Sequence, residues 1–118
     1  MANVETGRLG ESIAATYYRS HGYSIRDQNI HSRFGELDLV VEKNGIIRFV
    51  EVKTRTGIRK GKPYESVTRH KLISLLRNIQ YYIIVHKIHH KKYSLFVFAI
   101  ILTERGSVDS MREYEISL

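Results

Sequence analysis

Residues Gly35 to Lys53, GELDLVVEKNGIIRFVEVK, contain an Asn44-Gly45 pair between two stretches of alternating apolar residues. A type I′ turn needs φ > 0 at both central positions, so Asn-Gly in this setting specifies a β-hairpin and fixes its register. With those two residues as the turn, Lys43 faces Ile46, Asp38 faces Glu51 and Glu36 faces Lys53. Side chains alternate along a strand, so all four charged residues fall on one face. The other face carries Leu37, Leu39, Val50 and Val52 and reads as core. Like charges directly opposite one another destabilise a sheet. A Glu36–Lys53 pair is explained as an ordinary surface ion pair, but two facing carboxylates are not. A divalent cation explains them. Mg²⁺ or Mn²⁺ takes hard oxygen ligands and keeps several waters, so Asp38, Glu51 and the Val52 carbonyl form a candidate ligand set. Lys53 beside that set suits positioning of a nucleophile or stabilisation of charge developing on a phosphate.

The rest of the chain sets bounds. Its 118 residues, 42% of them hydrophobic, suit one domain with one compact core. The absence of cysteine excludes disulfides, thiol catalysis and cysteine-held zinc. With neither a long apolar run nor a signal-peptide layout, the expectation is a cytoplasmic protein with no membrane partner. A net charge of +7 favours nucleic acid as partner, although a merely basic protein is the other reading.

Hydrophobic periodicity predicts a first helix over Thr6–His21, with Thr6 as N-cap and Gly22 just past its end. Glu11 is the lone acid on a stripe with Ala14, Ala15 and Tyr18, and is expected to pack rather than face solvent. A weak strand follows at Tyr23–Gln28, then a polar loop over Asn29–Phe34. The hairpin strands are expected at Glu36–Glu42 and Ile46–Lys53. Thr54–Glu65 reads as a basic loop. Ser66 or Thr68 then caps a second helix ending near Val85. Leu95–Leu102 suits a central buried strand and Met111–Leu118 an edge strand. The order αβββαββ is that of an α/β domain, with a sheet covered on both faces. His86, His89 and His90 lie among Lys87, Lys91 and Lys92 and read as a basic turn rather than a metal cluster.

Asp38 followed by Glu51-Val52-Lys53 resembles the PD-(D/E)xK pattern of restriction-endonuclease-like nucleases, with Leu37-Asp38 in place of the "PD". A wider set of residues resembles the small bacterial YraN-like proteins, themselves similar to archaeal Holliday junction resolvases. It comprises Gly7-x-x-Gly10-Glu11, Ala14-Ala15, Gly22-Tyr23, Asn29, Gly35-Glu36-Leu37-Asp38-Leu39, Phe49 to Lys53 with Arg55, Gly61-x-Pro63-x-Glu65-Ser66-Val67, and Lys71. The resemblance implies an αβββαβ core with a mixed sheet flanked by helices. It also implies that Glu11 joins Asp38 and Glu51 at the metal. One segment departs from the family: Ser94-Leu95-Phe96 stands where an Arg-Phe-Asp-type sequence is usual.

Three functions follow as expectations. The first is a Mg²⁺- or Mn²⁺-dependent DNA nuclease acting on branched structures, with Glu11, Asp38, Glu51 and Lys53 as its catalytic residues. In that reading Glu36 positions Lys53 or a water, and Arg55, Lys60, Lys62 and Lys71 contact phosphates. A homodimer would suit two cuts on a symmetric junction. The second is a nucleic-acid-binding module without turnover. The third is a protein-interaction domain with a structural acidic cluster.

Overall fold

The computed structural model describes residues 2–57 and 68–117. The elements run α1 (Ala2–Ser20), β1 (Ser24–Ser32), β2 (Gly35–Lys43), β3 (Ile46–Thr56), α2 (Arg69–Val85), β4 (Tyr93–Leu102) and β5 (Val108–Ile116). The five strands form one sheet in sequence order. All neighbours are antiparallel except β3 and β4, which are parallel and joined through α2. A parallel pair needs a crossover of this kind, and α2 supplies it across one face. This is the αβββαβ arrangement, a mixed sheet flanked by helices, followed by an added edge strand.

The turn has the backbone its sequence demands, with φ of 54° at Asn44 and 77° at Gly45. The ladder runs from Lys43–Ile46 to Leu39–Val50 in the expected register. Helix α1 ends in a Schellman motif: Tyr23 N–H donates to the Tyr18 carbonyl at 3.0 Å and Gly22 N–H to the Arg19 carbonyl at 3.1 Å. Thr68 caps α2, its hydroxyl accepting from the Lys71 N–H at 3.1 Å.

Each helix covers one face. Ala14, Ala15 and Tyr18 of α1 pack with Leu39, Val50 and Phe98. Leu75, Ile79 and Tyr82 of α2 pack with Val40, Phe49 and Leu95. Helix α1 lies so close to β3 that a Cβ on Gly10 would meet Thr54 Oγ1 at 1.9 Å, so any larger residue there requires Thr54 to move.

Three expectations are corrected. Helix α1 starts at Ala2, so Thr6 is inside it and is not its cap. Strand β1 continues through the polar segment assigned to a loop and pairs as far as Ser32–Gly35. As an edge strand it needs only one ladder, and that stretch is anchored by Ile30 and by the Ser32 hydroxyl, which donates to Oδ1 of buried Asn78 at 2.8 Å. Leu37 packs with Val40 on the α2 side rather than with Leu39 on the α1 side, so the alternation of β2 is broken around Asp38.

Candidate metal centre

The break in alternation coincides with an opening between β2 and β3. Their pairing ends at Leu39–Val50. In a continued ladder the Val52 N–H would turn to the Leu37 carbonyl. Instead it donates to Asp38 Oδ2 at 2.8 Å. A side chain that bonds a neighbouring strand's backbone lies in the gap between the strands, so Asp38 sits at the mouth of the hairpin.

Glu51 shares its side of β3 with Phe49 and is 3% exposed. Its carboxyl group faces that of Asp38, near enough for the two to share a hydrogen bond when Asp38 is protonated. Two ammonium groups approach Oε2 of the same residue: Lys71 Nζ at 3.0 Å and Lys53 Nζ at 3.7 Å. A buried charge is tolerable only when paired, and Glu51 is paired twice over.

The two acids respond in opposite directions. Burial, then the hydrogen bond and negative charge of Glu51, push the Asp38 carboxyl up to about 8, against the pull of the Val52 N–H. Burial also pushes Glu51 up, but the Asp38 hydrogen bond and the charges of Lys71 and Lys53 outweigh it and leave Glu51 below its usual value. Near neutral pH the pair therefore favours one proton, held on the Asp38 side, over two full charges. Two facing carboxyl groups of which one resists ionisation are a place where a cation is favoured.

Glu11 is set apart. It projects from α1, which covers the other face, and it senses the site through charge. Burial raises its carboxyl first, then the charges of Glu36 and Glu51. Among the described residues no three acids or histidines come close enough to hold a metal together. The expected set of Glu11, Asp38 and Glu51 therefore reduces to Asp38 and Glu51, with Glu11 as a neighbour. Two carboxylates fit a magnesium-type ion, which usually takes one or two and fills its octahedron with water. Val52, expected to offer its carbonyl, meets Asp38 through its N–H.

The expected Glu36–Lys53 pair is not formed. Glu36 is exposed and lies 3.3 Å from His31 Nδ1, its ladder partner on β1. The reason is the opening itself: past Leu39–Val50 the backbone ladder no longer holds β2 opposite β3. Lys71, expected to contact phosphate, lies 3.0 Å from Glu51 Oε2 in this structure. Arg55 donates to the Thr54 carbonyl at 2.9 Å. Lys60 and Lys62 lie outside the described residues.

A second polar cluster is absent from the sequence reading. Glu113 of β5 accepts from Arg48 Nη1 at 2.8 Å, from Tyr17 at 3.3 Å and from the Tyr18 hydroxyl. Arg48 lies over the Phe96 ring, 3.7 Å from its centre. The departing segment thus supplies a platform that ties β3, β4, β5 and α1 together. Its members are far apart in sequence, and only the unusual Phe96 hinted at it.

Comparison with known proteins follows the same lines. The model of the family described as "Uncharacterised protein family UPF0102" matches residues 10–103. A "UPF0102 protein" of Syntrophomonas wolfei is 53% identical over 73 residues, which span 62% of this chain and 64% of that protein, just under two thirds of its length. A "UPF0102 protein" of Clostridium botulinum strain Loch Maree is 37% identical over 111 residues, covering 93% of this chain and 90% of the relative. Among the described residues no helix is long and apolar enough to cross a membrane.

Proposed function

This chain belongs to the uncharacterised family UPF0102, the YraN-like proteins, and we propose that it is a metal-dependent nuclease hydrolysing DNA phosphodiester bonds in the cytoplasm. The observation that carries the reading is the facing Asp38–Glu51 carboxyl pair at the open end of the hairpin, with Lys53 Nζ 3.7 Å from Glu51 Oε2.

Asp38 and Glu51 would hold Mg²⁺ or Mn²⁺, with the Val52 carbonyl beside them and Glu11 acting across the gap. When bound, such an ion neutralises phosphate charge and makes its water more acidic. Lys53, two residues beyond Glu51 on the same strand face, orients the attacking water and meets charge developing on the phosphate. Arg55, Lys60, Lys62 and Lys71 supply backbone contacts in keeping with the +7 charge. Branched DNA, cut by a homodimer, is the substrate suggested by likeness to the resolvases, a fold-level analogy.

The test is cleavage of single-stranded, duplex, flap and four-way-junction DNA with Mg²⁺ or Mn²⁺. Metal-dependent cleavage that disappears in Asp38→Ala and Lys53→Ala supports the reading. The absence of cleavage on all four substrates sinks it.

Two observations favour a second reading. Lys71 already neutralises Glu51, and Glu11 does not close on the pair. A nucleic-acid-binding module without turnover needs no more than this. It predicts salt-sensitive DNA affinity, indifferent to Lys53→Ala, with no cleavage.

A further inference from the structure

Helix α2 opens with Arg69, His70 and Lys71, and no acid lies in its first turn. Cations are disfavoured at a helix N-terminus, where the backbone dipole is positive. Lys71 is nevertheless held there: its N–H is bonded to the Thr68 cap and its ammonium lies 3.0 Å from Glu51 Oε2. The carboxylate it meets comes from a different element and is almost completely buried.

Two ammonium groups share that oxygen, and they differ in freedom. The Lys53 side chain is 19% exposed, whereas that of Lys71 is 41% exposed. Lys71 is also the closer of the two. Among the described residues it therefore supplies the nearest positive charge to Glu51, and its greater exposure leaves it room to withdraw. A divalent ion ligated by Glu51 Oε2 would stand about 2.1 Å from that oxygen. An ammonium 3.0 Å from the same atom competes for it and repels the ion.

We propose that Lys71 is a tethered counter-ion: in the metal-free protein its ammonium takes the cation's place on Glu51, and it yields that place when a divalent cation binds. The inference rests on the metal reading of Asp38 and Glu51 given above. It assigns Lys71 two positions, one on the carboxylate and one swung outward. In the second, the ammonium is free to meet the phosphate brought to the site. Lys71 is then a positioning residue that links metal loading to backbone contact.

The test measures Mn²⁺ affinity of the full chain by titration calorimetry, for wild type, Lys71→Met and Lys71→Arg. Methionine keeps the apolar stem and removes the charge. Lys71→Met is expected to bind Mn²⁺ about tenfold more tightly, as follows if Lys71 occupies the carboxylate in roughly nine molecules of ten. Lys71→Arg is expected to bind no more tightly than wild type. Unchanged or weaker affinity in Lys71→Met, with wild type still binding, overturns the inference and leaves the metal reading intact. If neither binds Mn²⁺, both fall together.

A second measurement uses wild type alone and does not depend on how a variant folds. The Lys71 side-chain ammonium gives a nitrogen resonance that reports its bond to Glu51. It is expected to shift to that of a free lysine as Mg²⁺ saturates the protein. A resonance unchanged at saturation overturns the inference.

Discussion

The two ends of the β2–β3 hairpin use the same residue types to opposite effect. Near the turn, Glu42 is held by Arg26 at 2.6 Å and by Lys91, and these partners draw its carboxyl below the usual value despite some burial. At the open end Asp38 faces another acid, and its carboxyl is driven up. The first carboxylate is fully compensated by side chains within the fold. The second pair is compensated in part by a proton and two lysines, both of which a divalent cation can replace. An acid whose charge is already balanced acts as a fastener, whereas an acid left short of positive charge can take up a ligand.

The largest test of this contrast is catalytic. Asp38→Ala is expected to lower metal-dependent cleavage by more than about 100-fold, beyond the range that changes around a metal's ligands usually reach. Lys53→Ala should cost about 100- to 1000-fold in turnover. Glu42→Gln should leave cleavage unchanged. A loss in Glu42→Gln matching that in Asp38→Ala would erase the distinction between the two ends.

The ends should also respond to pH with opposite slopes. Asp38 binds its proton more tightly when folded, so its contribution to stability falls as pH rises from the unfolded carboxylate value toward about 8. Glu42 binds its proton less tightly when folded. Its contribution is present above the ordinary glutamate value and is lost as pH falls through the folded one. Urea unfolding of metal-free protein should therefore show stability declining between about pH 5 and pH 8, with Mg²⁺ recovering most of the loss at the alkaline end. Equal slopes with and without Mg²⁺ would mean that Asp38 is not the group responsible.

Two smaller effects concern stability alone. Gly10→Ala drives a methyl group into Thr54 and should cost about 1–3 kcal/mol in chemical denaturation, with Thr54→Ala in the same chain restoring part of it. Glu42→Gln should cost about 1 kcal/mol, the value of a partly exposed ion pair whose cations can rehydrate.

Local signals carried much of this structure. Asn44-Gly45 specified the turn and the register, Gly22 ended α1, Thr68 capped α2, and the apolar run at Leu95–Leu102 became the strand between β3 and β5. Each of these is decided within a few residues of chain. The failures came from contacts made elsewhere. A polar edge strand lacks the pattern of a half-buried one, which is why β1 was cut short. The register extrapolated from the turn placed Asp38 beside Glu51 but also placed Glu36 beside Lys53. It could not show that the ladder stops at Leu39–Val50. Lys71 stood out only as a basic residue near a helix start. Its partner lies twenty residues earlier in the chain and is brought to it by the fold. The Arg48–Glu113 tie spans β3 and β5 and has no local signature.

The bonds around Asp38 carry a practical consequence. One oxygen receives the Val52 N–H, and the raised carboxyl keeps its proton beside the neighbouring acid. A primary amide presents the same acceptor and the same donor in nearly the same volume. Asparagine at this position would thus be a permanent copy of the resting acid, sound in architecture and unable to ionise. Such a protein separates what the hairpin mouth contributes as structure from what it contributes as chemistry.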